Sequence, residues 1–307
     1  MKERKVIQKV RGVRATDGAG VRLVRVLGNE TMYDFDPFLM LDSFDSDNPD
    51  DYRRGFPEHP HRGIETVSFI AKGSMTHEDH LGSRQTITDG EAQWLTAGSG
   101  AFHSEQPGGI RMLGLQLWLN MPGNRKMSAE PEYHGITRDE IPEFRSDGVL
   151  LRVLTGEYHG LKGWQGRYVP LDYYDLHMQP GAKTEIDVKP GNTVMVFTLV
   201  GDVITGGSAV VEKTAARFSD GDTVVIEAGG DGAEVMLMSA PPLNEPIAWY
   251  GPIVMNSEHE LRTALRELDE GTFLKGKTKY TVLLPFLTFN VNFAFVNMDG
   301  PNMSDRP

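Results

Sequence analysis

The chain has 307 residues and no cysteine. That single absence excludes disulfide scaffolds, cysteine-ligated zinc, iron–sulfur clusters and thiolate nucleophiles. Positive charge is also scarce: 31 Lys and Arg stand against 43 Asp and Glu, a formal net charge of −12. Sequence-independent affinity for nucleic acid comes from cationic side chains that displace counterions, so direct nucleic-acid binding is not expected. Long apolar runs are missing as well. The basic opening MKERKVIQKVRGVRATDGAG is not followed by the apolar stretch of a secretory signal. The most apolar segment, Tyr280–Val296, is interrupted by Pro285, Asn290 and Asn292 and is shorter than the ~20 residues of a spanning helix. It reads as a strand or an association-prone tail. A cytoplasmic protein without a membrane anchor is expected.

What is present is a succession of short apolar runs separated by Gly, Asp, Asn and Pro. VRLVRVL, ETVSFIA, QWLTAG, LGLQLWLN, VLLRVL, NTVMVFTLV, DTVVIEAG and EVMLMSA are each of strand length. Many such strands with turn residues between them define an all-β sandwich or barrel. The chain also looks doubled. Phe69–Gly73 resembles Phe197–Gly201, and Asp89-Gly90-Glu91 resembles Asp220-Gly221-Asp222, in the same order. Two related barrels follow: residues 1–138, residues 139–274, and a tail at 275–307 of unassigned role. The polar, proline-containing stretch Asn124–Glu143 marks the boundary. One helix is expected over residues 257–270, assigned to the second barrel. Ser257 and Glu260 form a capping box, Leu261, Ala264, Leu265 and Leu268 make an apolar face, and Gly271 ends it.

The histidines carry the chemistry. His59 and His61 lie in FPEHPHRGIETVSF; His103 and Glu105 lie in GEAQWLTAGSGAFHSEQ. Residues two apart in a strand share a face, so each pair can present both side chains to one ion, and a barrel can bring the pairs together. Glu65, two pleats beyond His61, is either a further ligand, an acceptor that fixes an imidazole tautomer, or a plain strand residue. Imidazoles suit iron, copper, nickel or zinc, and an added carboxylate favours Fe(II) or Mn(II). His77 and His80 can approach the site, with Asp79 and His80 placed at a turn. His134, His159 and His177 stand alone, and His259 belongs to the helix. At the doubled positions the second half has no imidazole, so only the first barrel is expected to hold metal.

FPEHPHRGIETVSF, GSMTHEDHLG, GEAQWLTAGSGAFHSE, LGLQLWLN and EPIAWYGPIVMN resemble the pirin family of the cupin superfamily, from about Met1 to Phe273. The resemblance implies two cupin-type barrels (double-stranded β-helix, or jelly roll), with iron in the first and no metal in the second. It places the metal ligands at His59, His61, His103 and Glu105. Glu65 matches the glutamate of the general cupin motif, which pirins replace with the later one. It implies Fe(II) as cofactor, with Zn, Ni, Mn or Cu as alternatives, and Glu105 as catalytic base. The implied activity is a quercetin 2,3-dioxygenase-type opening of flavonol rings with O2. The implied alternative is an iron-bearing, redox-sensitive transcriptional cofactor acting through protein contacts. Expected partners are a small aromatic substrate and O2, for a monomer open to a protein partner. Phe56, Phe102, Met75 and Gln116 are candidate pocket-wall residues.

Overall fold

A computed structural model describes residues 1–275; the Tyr280–Val296 segment lies outside the described residues. The fold is two cupin barrels packed against each other. A nine-stranded antiparallel sheet builds the first, and a seven-stranded sheet faces a four-stranded one in the second. Every apolar run named above lies in a strand. The chain passes from the first sheet, at Glu132–Ile136, to the second, at Glu143–Ser146.

Two strands organise the first barrel. Ala101–Asn120 pairs through its second half with Phe38–Ser46 and along most of its length with Ile64–Asp79. Such long strands serve both ends of a barrel only if they bend. Gly73 supplies the bend: its φ is 102°, the register shifts on both sides of Lys72, and a Cβ there would strike the Arg111 carbonyl. Only glycine adopts that conformation freely.

The alternation along the strands sorts side chains into two destinations. In the second barrel Leu151, Leu176, Val196 and Leu237 point inward against Val203, Val224 and Ile226. The opposite face of the same sheet, with Tyr173, Met195, Phe197, Met236 and Met238, packs on Val67, Phe69, Trp94, Leu115 and Leu117 of the first barrel. Burying each such side chain contributes roughly 1.5–3 kcal/mol, so the seam is a true core. Phe69 and Phe197, the matched positions of the internal repeat, both lie in it.

The two ends of the chain exchange places. Val6–Arg11, in the half assigned to the first barrel, pairs with Thr214–Phe218 of the second. The helix, Glu258–Asp269, was assigned to the second barrel, yet it packs with Ala248, Ile253 and Phe273 over Phe102 of the first. Its cap is as expected, with Ser257 accepting from the Glu260 N–H. The exchange is fixed by Arg62, which is 1% exposed. Its guanidinium donates to the Ser99 carbonyl (2.8 Å), to Glu267 (2.7 Å) and to the Phe273 carbonyl. Among the described residues no helix is long and apolar enough to cross a membrane.

Candidate metal centre

The histidine pair lies on Phe56–His61, a strand with Pro57 and Pro60 that, among the described residues, pairs only with Ala101–Asn120. Proline lacks the N–H a central strand needs, so an edge is where this sequence fits. His59 stands opposite His103 in the ladder. Ligating nitrogens of His59, His61 and His103 lie within 4.8 Å of one another. His61 and His103 are buried and His59 is partly exposed, so solvent reaches the cluster from the His59 side.

The hydrogen bonds fix the tautomers. His59 Nδ1 donates to the Pro57 carbonyl (2.9 Å), and His61 Nδ1 donates to the Pro252 carbonyl (3.2 Å). A carbonyl only accepts, so in each neutral ring Nε2 is left with its lone pair. Those two Nε2 atoms are 3.0 Å apart. His103 is set by a longer chain. Asp79 Oδ1 accepts from the N–H groups of Leu81 and Ser83, and Oδ2 accepts from His77 Nε2 at 3.0 Å. His77 Nδ1 then accepts from His103 Nδ1, 3.3 Å away. His103 Nε2 remains, buried and without a hydrogen-bond partner. Tyr133 stacks on His77 with ring centroids 3.9 Å apart and holds that ring flat.

Three lone pairs therefore converge with no donor between them. Neutrality is reinforced by the surroundings. Burial pushes His61 and His103 well below the usual imidazole range, and the neighbouring histidines push the same way. A divalent ion fits this arrangement. Two nitrogens each about 2.1 Å from one ion, at right angles, stand about 3.0 Å apart, which is the His59–His61 separation.

Glu105 lies inside the same barrel but outside the group of converging atoms. Its Oε1 accepts from Gln93 (2.6 Å) and Ser68 (3.4 Å), and its Oε2 accepts from Gln116 (2.7 Å). Gln116 thus belongs to the site, and Gln93, absent from the sequence reading, joins it. The other candidate wall residues do not. Met75 and Phe56 pack in a satellite core with Phe44 and Tyr52, and Phe102 packs on Phe273. His80 accepts from the Phe102 N–H and is structural.

Glu65 is neither ligand nor tautomer anchor. The histidine strand ends at His61, the next begins at Ile64, and Gly63 between them turns at φ 78°. The period of two does not survive that turn. Glu65 Oε1 accepts instead from Trp94 Nε1 (3.1 Å) and Thr96 Oγ1 (2.6 Å). Burial is the main cause that raises its carboxyl from 4.5 to about 7. The folded value lies above the unfolded one, so stability from this group is full below about pH 4.5 and is lost as pH rises through about 7. The span is worth about 3 kcal/mol. Glu65→Gln keeps the acceptor and cannot ionise. It should melt above the wild type at about pH 8, match it near about pH 5, and leave metal content unchanged. Equal melting at the higher pH would count against Glu65 as the titrating group.

Barrel pair and imidazole cluster together define a bicupin with a metal-fitting first barrel. The chain matches the Pirin family over residues 20–119 and the Pirin C-terminal cupin domain over residues 173–274. It is 41% identical over 278 residues to a pirin-like protein of Caulobacter vibrioides, covering 89% of this chain and 100% of that one. Human pirin is 36% identical over 269 residues, covering 85% of this chain and 91% of that one. A crystal structure of quercetin 2,3-dioxygenase from Acinetobacter baumannii superposes with a TM-score of 0.81 at 31% identity, covering 89% of this chain and 99% of that one. The chain belongs to the pirin family.

Proposed function

We propose that this protein is an Fe(II)-dependent dioxygenase that opens flavonol-type aromatic rings, with His59, His61, His103 and Glu105 as its metal site. The observation that carries the reading is the convergence of three imidazoles on one point inside the first barrel. Likeness to a quercetin 2,3-dioxygenase structure supports the substrate class. Bound iron would polarise the hydroxyl and carbonyl oxygens of an enol and supply redox chemistry with O2. The chain's own groups do the rest. Glu105 takes the enol proton, and the amides of Gln93 and Gln116 hold its oxygens for that purpose. The same carboxylate would hold the iron as a fourth ligand in place of those amide contacts. Asp79 and His77 keep the lone pair of His103 on Nε2. No separate observation favours the redox-regulatory alternative.

The test is anaerobic purification after iron-replete growth, metal analysis, and O2 uptake on a panel of flavonols. Bound iron with flavonol-dependent uptake supports the reading. Iron-loaded protein inert to every flavonol removes the substrate assignment. His77→Phe removes the acceptor for His103 Nδ1 and should weaken metal binding by ~10–100-fold, measured by chelator competition. An unchanged dissociation constant would show that the Asp79–His77 chain does not orient the ligand.

A further inference from the structure

A second cluster lies on the seam side of the second barrel. Asp175 and His177 share one face of the strand Asp172–Met178, and Glu234 stands directly opposite His177 on the neighbouring strand. Ligand atoms of the three lie within 4.8 Å of one another. Asp175 Oδ2 accepts from Arg152 Nη1 (3.0 Å) and from His177 Nε2 (2.9 Å). Its other oxygen, Oδ1, is buried without a partner on a residue that is 0% exposed. Glu234 Oε1 is likewise buried and unpartnered. Nearby positive charge is already engaged: Arg152 also donates to the Gly90 carbonyl, and Lys213 pairs with Asp45. His177 is exposed and its Nε2 pairs with Asp175, yet one oxygen of each carboxylate stays buried with no donor, which is costly.

We propose that Asp175, His177 and Glu234 form a second divalent-cation site, at the seam between the barrels. One imidazole and two carboxylates make a mixed nitrogen–oxygen set that suits Zn(II), Mn(II) or Fe(II). His177 Nε2 and Asp175 Oδ2, 2.9 Å apart, share a proton that the ion would displace, which leaves Nε2 as the donor atom with the ring proton on Nδ1. An ion would satisfy the two orphan oxygens. It has a route in: an open groove of about 580 Å³, lined by Gly148, His177 and Gln179, reaches the cluster. The site is independent of the one above and departs from the metal-free second barrel that the family resemblance implies.

The test is zinc titration of chelator-stripped, full-length protein at about pH 8, followed by calorimetry and by metal analysis. Wild type should bind two ions per chain, Glu234→Gln one, and His103→Ala one. Glu234→Gln is suitable because Glu234 has no hydrogen bond or ion pair to lose among the described contacts; its fold is checked by near-UV circular dichroism. A wild type that takes one ion and a His103→Ala chain that takes none would overturn the site, as would a Glu234→Gln chain that still takes two. A His103→Ala chain that keeps both ions would instead sink the three-imidazole reading.

Discussion

His103→Ala should emerge from purification without the first-barrel metal while keeping its fold. The position is central to the cluster: the His103 ring lies 4.4 Å from His59 and 4.9 Å from His61, centroid to centroid. Its Nε2 has no other partner, so nothing else is served by aiming it there. Loss of a ligand should exceed the ~10–100-fold cost of losing an outer partner. The fold should survive, because the deleted ring faces other imidazoles rather than the apolar seam. Metal analysis after gel filtration, with far-UV circular dichroism, checks this. His134→Ala is the control: His134 stacks on Trp164 and pairs with Glu140, away from the cluster, and should keep its ion. A His103→Ala protein that retains as many tightly held ions as the wild type would remove His103 from the ligand set.

Removing residues 247–275 should cost the first barrel both its metal and its stability, whereas removing residues 276–307 should cost neither. The described part of the C-terminus is bound into the first barrel. The Pro252 carbonyl orients His61 and accepts from the Arg62 N–H, and the Arg62 carbonyl accepts from the Val254 N–H across the join. The Arg62 guanidinium would lose Glu267 and the Phe273 carbonyl together and be left buried and half paired. Breaking a buried pair from one side costs roughly 3–5 kcal/mol, before the exposed face of Phe102 and Ala101 is counted. Every named contact survives the shorter deletion, including that of Lys275 with Glu267. Thermal melts and metal content of the two truncations separate the cases. Equal behaviour of the two proteins would mean that the C-terminal helix is a passenger.

The sequence disclosed what depends on local periodicity. His59 and His61, and His103 and Glu105, could be paired on faces because each pair lies within one uninterrupted strand. The role of Glu65 stays open in the sequence because one glycine turn ends that continuity. The Asp79–His77 relay could not be assembled from spacing. His77 and His103 are 26 residues apart, and only the ladder between their strands brings them together. His177 looked isolated for the same reason, since its partner Glu234 is a cross-strand neighbour. The exchange of chain ends has no local signature at all. Val6–Arg11 alternates as any half-buried strand does, and nothing in it names the strand it will join.

That exchange bears on the order of events during synthesis. His61 and the carbonyl that orients it are 191 residues apart, which at translation rates of roughly 5–20 residues per second is roughly 10–40 s of elongation. A nascent first barrel therefore leaves the ribosome with all its histidines but without the segment that aims one of them and covers Arg62. Until Pro252 emerges, His61 lacks the carbonyl that aims its ring. A chain stalled before that residue would carry the three imidazoles of the proposed centre with one of them unaimed.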